Sequence, residues 1–287
     1  MKCLLKIAGI SKSLYFYHKK VDKNNEKHQK LCEIIKKSFN DNKGRYGYRR
    51  LKIYIEKVYN LVINHKVILK ILRELDLHTY QCKYTYSSYD KTVESKVCSN
   101  KLLDKVIEND KEHLKQNFKT AAPNQKWTTD VSLFKCTFGH VYFSPILDMY
   151  NGEIISYNLS FSPNMVQTVD MLSKARAKHP NWEGLIFHSD QGYQYFNCLF
   201  REFLDRNGAI QSMSRKGNCY DNAMMENFFG IMKKEMFYGQ EDRYETMEQF
   251  TKAVEEYIYW YNNIRFKSRL GYLSPVEYRL KNYPVVM

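Results

Sequence analysis

Three acidic side chains, far apart in the 287-residue chain, have the residue type and setting that metal-dependent phosphoryl transfer requires. Asp130 follows Thr128 and Thr129 in an apolar run, Asp190 follows a second apolar run, and Glu226 falls in a predicted helix. Clustered carboxylates repel one another and need cations, and oxygen-only ligands select Mg²⁺ or Mn²⁺. Two such ions about 3.5–4 Å apart activate a nucleophile and stabilise a leaving oxygen.

Each acid also has an ordinary structural explanation. Asp190 precedes Gln191-Gly192 and could simply begin a turn, which is a common use of aspartate. Glu226 could be an exposed helical glutamate. Asp130 is harder to explain in this way, because an aspartate inside an apolar strand is disfavoured and costly to bury unpaired. Three other acids fit a strand end, a helix cap and a different helix face better than a metal site: Asp148, Asp221 and Glu235.

The elements that must position these acids follow from the hydrophobic periodicity after residue 122. Three strand-like runs are separated by short turns, one of which contains the hairpin signal Asn151-Gly152. The strands are predicted at 126–136, 140–150 and 153–161, and then helices and strands alternate at 165–179, 184–190, 195–208, 209–214 and 220–239. This βββαβαβα order predicts a ribonuclease H-like α/β core, a mixed five-stranded sheet with helices. Its first and fourth strands are central neighbours, so Asp130, Asp190 and Glu226 should converge at one edge.

The first third of the chain is predicted to be helical. Amphipathic runs occupy 26–39, 46–58 and 63–77, with Asn64 as a cap and Val67 in the buried stripe of the third. A further turn and helix are a candidate at 9–20. Basic residues outside the apolar stripes favour a DNA-binding helix-turn-helix over a generic helical bundle. They are Arg45, Arg49, Arg50, Lys66 and Lys70.

Charge is distributed unevenly along the chain, whose formal net charge is +14. Residues 1–120 contain 27 Lys and Arg against 13 Asp and Glu, whereas the remainder contains 18 of each. A basic part joined to a neutral part indicates a module that binds a polyanion. A lysine-rich surface produced by a biased genome would give the same counts, so charge alone does not decide between these two explanations.

Cysteine usage and hydropathy exclude several classes of protein. The seven cysteines are odd in number and none form a CxxC pair, so reduced thiols are expected rather than disulfides or a cysteine zinc site. No run of 18 apolar residues occurs, and the N-terminus is a poor match to a signal peptide. We therefore expect a cytoplasmic protein, associated with the nucleoid, without membrane contact.

Four segments, in order, carry a resemblance to a known family: WTTDVSLF (127–134), HSDQGYQY (188–195), SRKGNCYDNAMMENFFGIMKKE (214–235) and YNNIRFKSRLGYLSPVEY (261–278). Together they resemble the integrase-type transposases of the IS-three family of bacterial insertion sequences, which share the DDE core of retroviral integrases. The spacing agrees, with 59 residues between Asp130 and Asp190 and 35 between Asp190 and Glu226. The segment 44–72 also looks like the helical region before the family's core, so the resemblance covers nearly the whole chain.

The resemblance implies a polynucleotidyl transferase. Asp130, Asp190 and Glu226 would be its catalytic and metal-binding triad, holding two Mg²⁺ or Mn²⁺ ions. Water would cut one strand at the end of the element, and the freed 3′-OH would then attack target DNA without a covalent protein–DNA intermediate. Lys233 matches the family's basic residue seven positions after the glutamate and is expected to touch the DNA. Further candidate DNA contacts are Arg215, Lys216 and Asn222, of which Asn222 shares the Glu226 helix face.

The expected organisation has four parts. They are a basic helix-turn-helix-like region at 1–85, a linker with a helix near 100–117 at 86–122, the catalytic core at 123–240 and a helical extension of the core at 241–287. The implied partners are double-stranded DNA, namely terminal inverted repeats and target, further copies of the chain, and the product of an upstream reading frame, fused or bound. Two alternatives are a non-catalytic DNA-binding regulator of transposition and a ribonuclease H-like nuclease. The intact triad argues against the first, and the basic helices with the SPVEY motif argue against the second.

Some motif residues are better explained by packing than by chemistry. Tyr257, Trp260 and Tyr261 recur at helical spacing and are expected in the core rather than stacked on bases. Ser274 and Pro275 are expected to begin a short C-terminal helix.

Overall fold

The computed structural model describes residues 11–79, 97–108, 111–163 and 165–283. The chain divides into two compact units, Met1–Gln81 and Cys82–Met287. The first part of the expected linker, up to residue 96, lies outside the described residues, as do residues 9 and 10 of the candidate N-terminal turn. Within the described ranges, every helix is too short or too polar to cross a membrane.

Three helices form the described part of the N-terminal unit: α1 (Lys12–Asp41), α2 (Tyr48–Tyr59) and α3 (His65–Glu74). The two separate helices expected at 9–20 and 26–39 are one continuous helix, α1. The predicted cap of α3 is confirmed, because the Asn64 side chain accepts a hydrogen bond from the Lys66 backbone N–H at 2.9 Å.

The buried side of α3 is narrower than the sequence predicts. Ile68 and Ile71 are fully buried and Leu72 nearly so, whereas Val67 is 39% exposed. Residues 68, 71 and 72 follow the i, i+3, i+4 spacing of one helix face, and Val67 lies on the flank of that face. The expectation that Val67 is buried was therefore wrong.

A two-stranded ribbon stands where a helix near 100–117 was expected. Strands β1 (Leu103–Glu108) and β2 (Lys111–Gln116) pair in antiparallel fashion. Long-range contacts fix this ribbon: Gln116 donates a hydrogen bond to the Asp221 carboxylate at 3.0 Å, and the Lys101 backbone N–H donates to Ser212 Oγ at 2.9 Å. Helix propensity is a weak preference, and these tertiary contacts override it.

The core is a mixed sheet of six strand segments: β3 (Lys126–Thr129), β4 (Ser132–Cys136), β5 (Gly139–Asp148), β6 (Ile154–Ser160), β7 (Ile186–Ser189) and β8 (Ile210–Met213). The order is β4-β5-β3-β7-β8, with β6 on the other side of β5. The predicted single strand 126–136 is interrupted at Asp130-Val131, and its two segments pair with β5 in one continuous register. The fold is the expected ribonuclease H-like sheet, with its first strand divided in two.

Helices cover both faces of this sheet and form two separate apolar clusters. The helices are α4 (Met165–Lys178), α5 (Tyr193–Phe196), α6 (Cys198–Arg206), α7 (Ala223–Met232), α8 (Met247–Asn263) and α9 (Pro275–Asn282). Helix α8 supplies Tyr257 and Tyr261 to one cluster, with Trp260 packed at its margin, which confirms that these aromatics are core residues. The C-terminal extension is thus part of the core's packing.

The C-terminal helix begins as predicted. Ser274 is fully buried and forms a capping box, in which its hydroxyl accepts from the Glu277 backbone N–H and Glu277 Oε2 accepts from the Ser274 backbone N–H. Pro275 occupies the first helical position, where its missing N–H costs nothing.

Candidate active site

Asp130 and Asp190 leave the sheet at the same edge. Strands β3 and β7 are parallel neighbours, and their register pairs Thr128 with His188. Each acid stands two residues beyond that pair, and both are half-buried. Parallel strands present their carboxyl ends at a common edge, and this register brings the two carboxylates to matching positions there.

Asp130 occupies the interruption between β3 and β4 rather than a strand interior. The continuous register places Pro145 of β5 opposite it, and proline has no N–H for the sheet ladder. The Val131 backbone N–H donates to Asp130 Oδ1 at 2.7 Å instead. The sheet ladder is therefore interrupted at Asp130, and the hydrogen bond from Val131 holds the Asp130 carboxylate in place.

Asp190 combines the two explanations that its sequence setting allows. Its Oδ1 accepts the Gly192 backbone N–H at 2.9 Å, which forms the turn after β7. A Cβ at Gly192 would stand 2.6 Å from Gln194 Nε2 and 3.0 Å from Asp190 Oδ1, so a larger residue there would require the Gln194 side chain to move. Among the described residues none donates a hydrogen bond to Oδ2. The turn therefore orients the carboxylate and leaves one oxygen for a ligand.

Glu226 lies in the first turn of α7 and is exposed. A 3₁₀ turn, Cys219–Asn222, precedes the helix, and the Asn218 side chain caps it by accepting the Tyr220 backbone N–H at 3.1 Å. This entry into α7 carries the third acid towards the edge where the first two lie.

Asn222 does not present its amide to the surface. It is 4% exposed; its Oδ1 accepts the Thr128 hydroxyl at 2.5 Å, and its Nδ2 donates to the Thr129 carbonyl at 3.3 Å. The expectation that it contacts DNA is corrected accordingly, because both ends of the amide are used within the protein. Asn222 fastens the start of α7 to the strand that ends at Asp130, a role the sequence pattern did not reveal.

The pKa values of the three acids are all raised, and the charges of the other two contribute to the shift of Asp130. Burial and then the charge of Asp190 raise the pKa of Asp130 well above its usual range, and Glu226 adds to this effect, while the Val131 N–H and Lys233 oppose it. Burial also raises the pKa of Asp190, against the Gly192 N–H, and desolvation raises that of Glu226. Carboxylates with raised pKa values in one place indicate a cluster short of positive charge.

Tyr195 lies close enough to Asp130 and Asp190 to feel their charges, and it was not identified from the sequence as a site residue. It is fully buried, and its pKa is raised well above the usual range by burial and by the charges of Asp130 and Asp190. Its hydroxyl oxygen has no hydrogen-bond partner of normal geometry among the described residues. The only signal in the sequence was its place at the end of the HSDQGYQY segment.

Lys233 stands beside Asp130. Its Nζ donates to the Leu133 carbonyl at 3.0 Å and lies 5.0 Å from the centre of the Phe134 ring. Burial lowers the pKa of Lys233, while the charge of Asp130 raises it. A π-helical turn, Lys233–Phe237, begins at this residue, directly after the end of α7.

Arg215 and Lys216 precede the 3₁₀ turn and differ in their surroundings. The Arg215 guanidinium donates to both oxygens of Asp221, at 2.9 and 2.8 Å, and Lys216 is exposed. Asp221 is fully buried, so it acts as an internal partner, in agreement with its exclusion as a ligand.

In the N-terminal unit the basic residues also fall into two groups. Arg49, Lys66 and Lys70 are exposed, and Lys66 and Lys70 are one turn apart on α3. Arg45 and Arg50 are half-buried, with the Arg50 guanidinium 5.8 Å from the centre of the Tyr46 ring.

The side chains at the sheet edge fit a hard divalent cation. The donors are carboxylate oxygens, and cationic compensation from the described residues comes from the partly buried Lys233. Oxygen ligands of this kind suit Mg²⁺ and Mn²⁺ rather than softer metals. A bound cation would offset the repulsion from Asp190 and Glu226 that helps to raise the pKa of Asp130.

Comparison with known proteins agrees with this geometry. Residues 120–219 and 226–283 match the family described as an integrase core domain, and residues 26–85 match the HTH-like domain family. A protein of Escherichia coli (strain K12) named as the transposase InsK of insertion sequence element IS150 is 37% identical over 280 residues, which cover 98% of this chain and 93% of that protein.

Two further likenesses extend the comparison. The transposase InsF for insertion sequence IS3A of the same strain is 28% identical over 255 residues, covering 88% of this chain and 83% of that protein. A chain of a simian T-cell lymphotropic virus intasome, solved by cryoEM with a PP2A regulatory subunit, superposes with a TM-score of 0.50 at 13% identity. That match covers 84% of this chain and 73% of the viral chain and shows a likeness of fold alone. The chain belongs to the IS-three family of insertion-sequence transposases, enzymes with an integrase-type, ribonuclease H-like core preceded by a helix-turn-helix-like region.

Proposed function

We propose that Asp130, Asp190 and Glu226 are the catalytic acids with which this transposase cuts the ends of its element and joins them to target DNA. The observation that carries the proposal is the shared register of β3 and β7, which brings two acids to one sheet edge beside the first turn of α7. Their raised pKa values support a common cation site.

The chain's own residues would prepare this site for catalysis. The turn closed by Gly192 orients Asp190, and the break opposite Pro145 orients Asp130. When bound, Mg²⁺ or Mn²⁺ would activate the attacking oxygen and stabilise the leaving oxygen.

We also propose a division of DNA contacts between the two units. Lys233, Arg215 and Lys216 would hold the DNA end near the acids, and the exposed residues of the N-terminal unit would contact duplex phosphates, as basic side chains on helix-turn-helix surfaces commonly do. The DNA partners would be the terminal inverted repeats and the target, both double-stranded, which the chain would meet in the bacterial cytoplasm. Further copies of the chain on DNA, and the product of an upstream reading frame, are the proposed protein partners.

The substitution Asp190→Asn tests the triad. It keeps the size of the side chain and removes the negative charge, so it should lower Mg²⁺-dependent 3′-end cleavage and joining by at least about 1,000-fold while sparing DNA binding. Cleavage and joining are measured on labelled element-end duplexes, and binding is measured by fluorescence anisotropy. Asp205→Asn, an exposed aspartate on α6, is the matched control and should leave both unchanged.

The same assay separates the alternatives. Unchanged strand transfer by Asp190→Asn would refute the triad assignment. A parent chain that binds ends but neither cuts nor joins them would favour the regulator, and one that cleaves RNA–DNA hybrids without joining ends would favour the nuclease.

A further inference from the structure

A cluster of three metal-ligating side chains lies in the N-terminal unit, which holds none of the catalytic acids. His28 and Cys32 are one turn apart on α1, and Glu74 is the last residue of α3. Cys32 Sγ lies 3.6 Å from His28 Nε2, and that nitrogen lies 3.0 Å from Glu74 Oε2. One ligand atom from each residue falls within 4.8 Å of the others.

These separations are close to those that a tetrahedral zinc ion imposes. Zinc bonds of about 2.3 Å to sulfur and about 2.0–2.2 Å to nitrogen or oxygen, at tetrahedral angles, give S···N of about 3.6 Å and N···O of about 3.4 Å. The observed S···N distance agrees, and the N···O distance requires a movement of a few tenths of an ångström. Partly exposed side chains can make that movement: His28 is 49% and Glu74 37% exposed.

The ligand types also distinguish this cluster from the acids of the core. A thiolate and an imidazole with one carboxylate suit Zn²⁺, whereas carboxylates alone suit Mg²⁺. Without a metal, these groups make surface contacts, in which His28 meets both Glu74 and Cys32 and Lys70 Nζ lies 3.6 Å from the other Glu74 oxygen. Such exposed contacts contribute little to stability.

We propose that His28, Cys32 and Glu74 bind one Zn²⁺ ion, which fastens α1 to the end of α3 and leaves a fourth position for water or an exchangeable ligand. The ion would link two helices across the unit. Helix α3 carries Lys66 and Lys70, so zinc would stabilise the helix that presents these proposed DNA contacts.

Cobalt titration of the metal-free, full-length chain tests the proposal, because a cysteine thiolate bound to Co²⁺ gives a near-ultraviolet charge-transfer band that oxygen ligands do not give. We expect the band to saturate at about one equivalent and to disappear when Zn²⁺ displaces Co²⁺. Cys32→Ser should abolish it, and Cys198→Ser, at an exposed cysteine of the other unit, should retain it.

The Glu74→Gln variant tests whether α3 contributes a ligand to the metal ion. It keeps the thiol and imidazole on α1 and should weaken Co²⁺ binding about 10-fold or more if the carboxylate is a ligand. Far-ultraviolet circular dichroism checks that each variant is folded. No band in the parent chain, a band that survives Cys32→Ser, or equal affinity in Glu74→Gln would each overturn the proposal.

Discussion

At the scale of single residues, Asp190 shows how one side chain can serve both the fold and the chemistry. Its Oδ1 closes the turn with Gly192, and this same bond aims the carboxylate at the sheet edge. The sequence allowed either a turn or a ligand, and the spacing to Asp130 and Glu226 favoured the ligand. Asn222 could not be assigned in this way, because its role depends on hydrogen bonds with Thr128 and Thr129, more than 90 residues away in sequence.

Lys233 carries the first prediction at this scale. Lys233→Met keeps a long side chain but removes the cation beside Asp130, and with it the ammonium contact with the Phe134 ring. If that cation meets the DNA end, cleavage should fall about 100- to 1,000-fold, as when one preorganised donor is lost, while the free energy of unfolding changes little. Single-turnover cleavage and urea unfolding measure the two effects. Lys252→Met, at an exposed lysine of α8, is the control, and unchanged cleavage by Lys233→Met would argue for a packing role.

Asp221 carries a prediction about pH. Burial alone would raise the pKa of its carboxyl group, but hydrogen bonds from Arg215 and Gln116 and the charge of Arg215 lower it from 3.8 to about 2. A depressed pKa contributes stability that is present above the ordinary value and is lost as pH falls through the folded value. Asp221→Asn should therefore lower the free energy of unfolding by about 2 kcal/mol at pH 7.

The pH dependence of that difference is the check. Urea unfolding of both chains at pH 7, 5, 4 and 3 should show a constant gap down to about pH 4 and a narrowing gap below it. The exposed Asp242→Asn serves as the matched control. A gap that narrows between pH 7 and 5 would assign the linkage to a different group.

At the scale of elements, hydrophobic periodicity predicted the alternating strands and helices of the core, and it failed where distant contacts decide the conformation. The sequence of the β1–β2 ribbon predicts a helix. Hydrogen bonds from Gln116 and from the Lys101 backbone to side chains of the core stabilise the ribbon instead. The break in the first strand depends on Pro145 of its partner, which pairing alone brings opposite Asp130. The residues of one segment, taken alone, therefore predict neither the ribbon nor the break.

The N-terminal cap of α9 should contribute measurably to the stability of the protein. Ser274→Ala removes the acceptor for the Glu277 backbone N–H in a fully buried capping box, and it should lower the free energy of unfolding by about 1–2 kcal/mol. Urea unfolding monitored by circular dichroism measures the loss. Ser268→Ala, at an exposed serine nearby, should have an effect near zero. A loss equal to that control would mean that Pro275 alone sets the start of the helix.

At the scale of the whole molecule, the chain combines a basic N-terminal portion with a core whose charges balance. Residues 1–120 account for all of the +14 net charge, although the acidic triad lies in the neutral remainder. This separation is typical of proteins in which one part supplies affinity for phosphates and another performs chemistry. Composition could not distinguish that arrangement from a solubilising lysine-rich surface, and only a measured dependence on salt can do so.

Salt dependence of DNA binding by the full-length chain provides that measurement. Each phosphate neutralised by a basic side chain releases counterions, so log Kd should rise with log salt concentration, with a slope of about 0.9 per contact. Replacing the exposed pair Lys66 and Lys70 with Gln should reduce the slope by about 2, because the two ammonium groups share one face of α3. The paired control, Lys252→Gln with Lys281→Gln, removes the same charge from exposed positions in the neutral half and should leave the slope unchanged. If log Kd of the parent chain does not change with salt concentration, the excess charge only keeps the protein in solution. If both double variants lose the same amount of slope, the phosphate contacts are spread over the molecule and are not concentrated on α3.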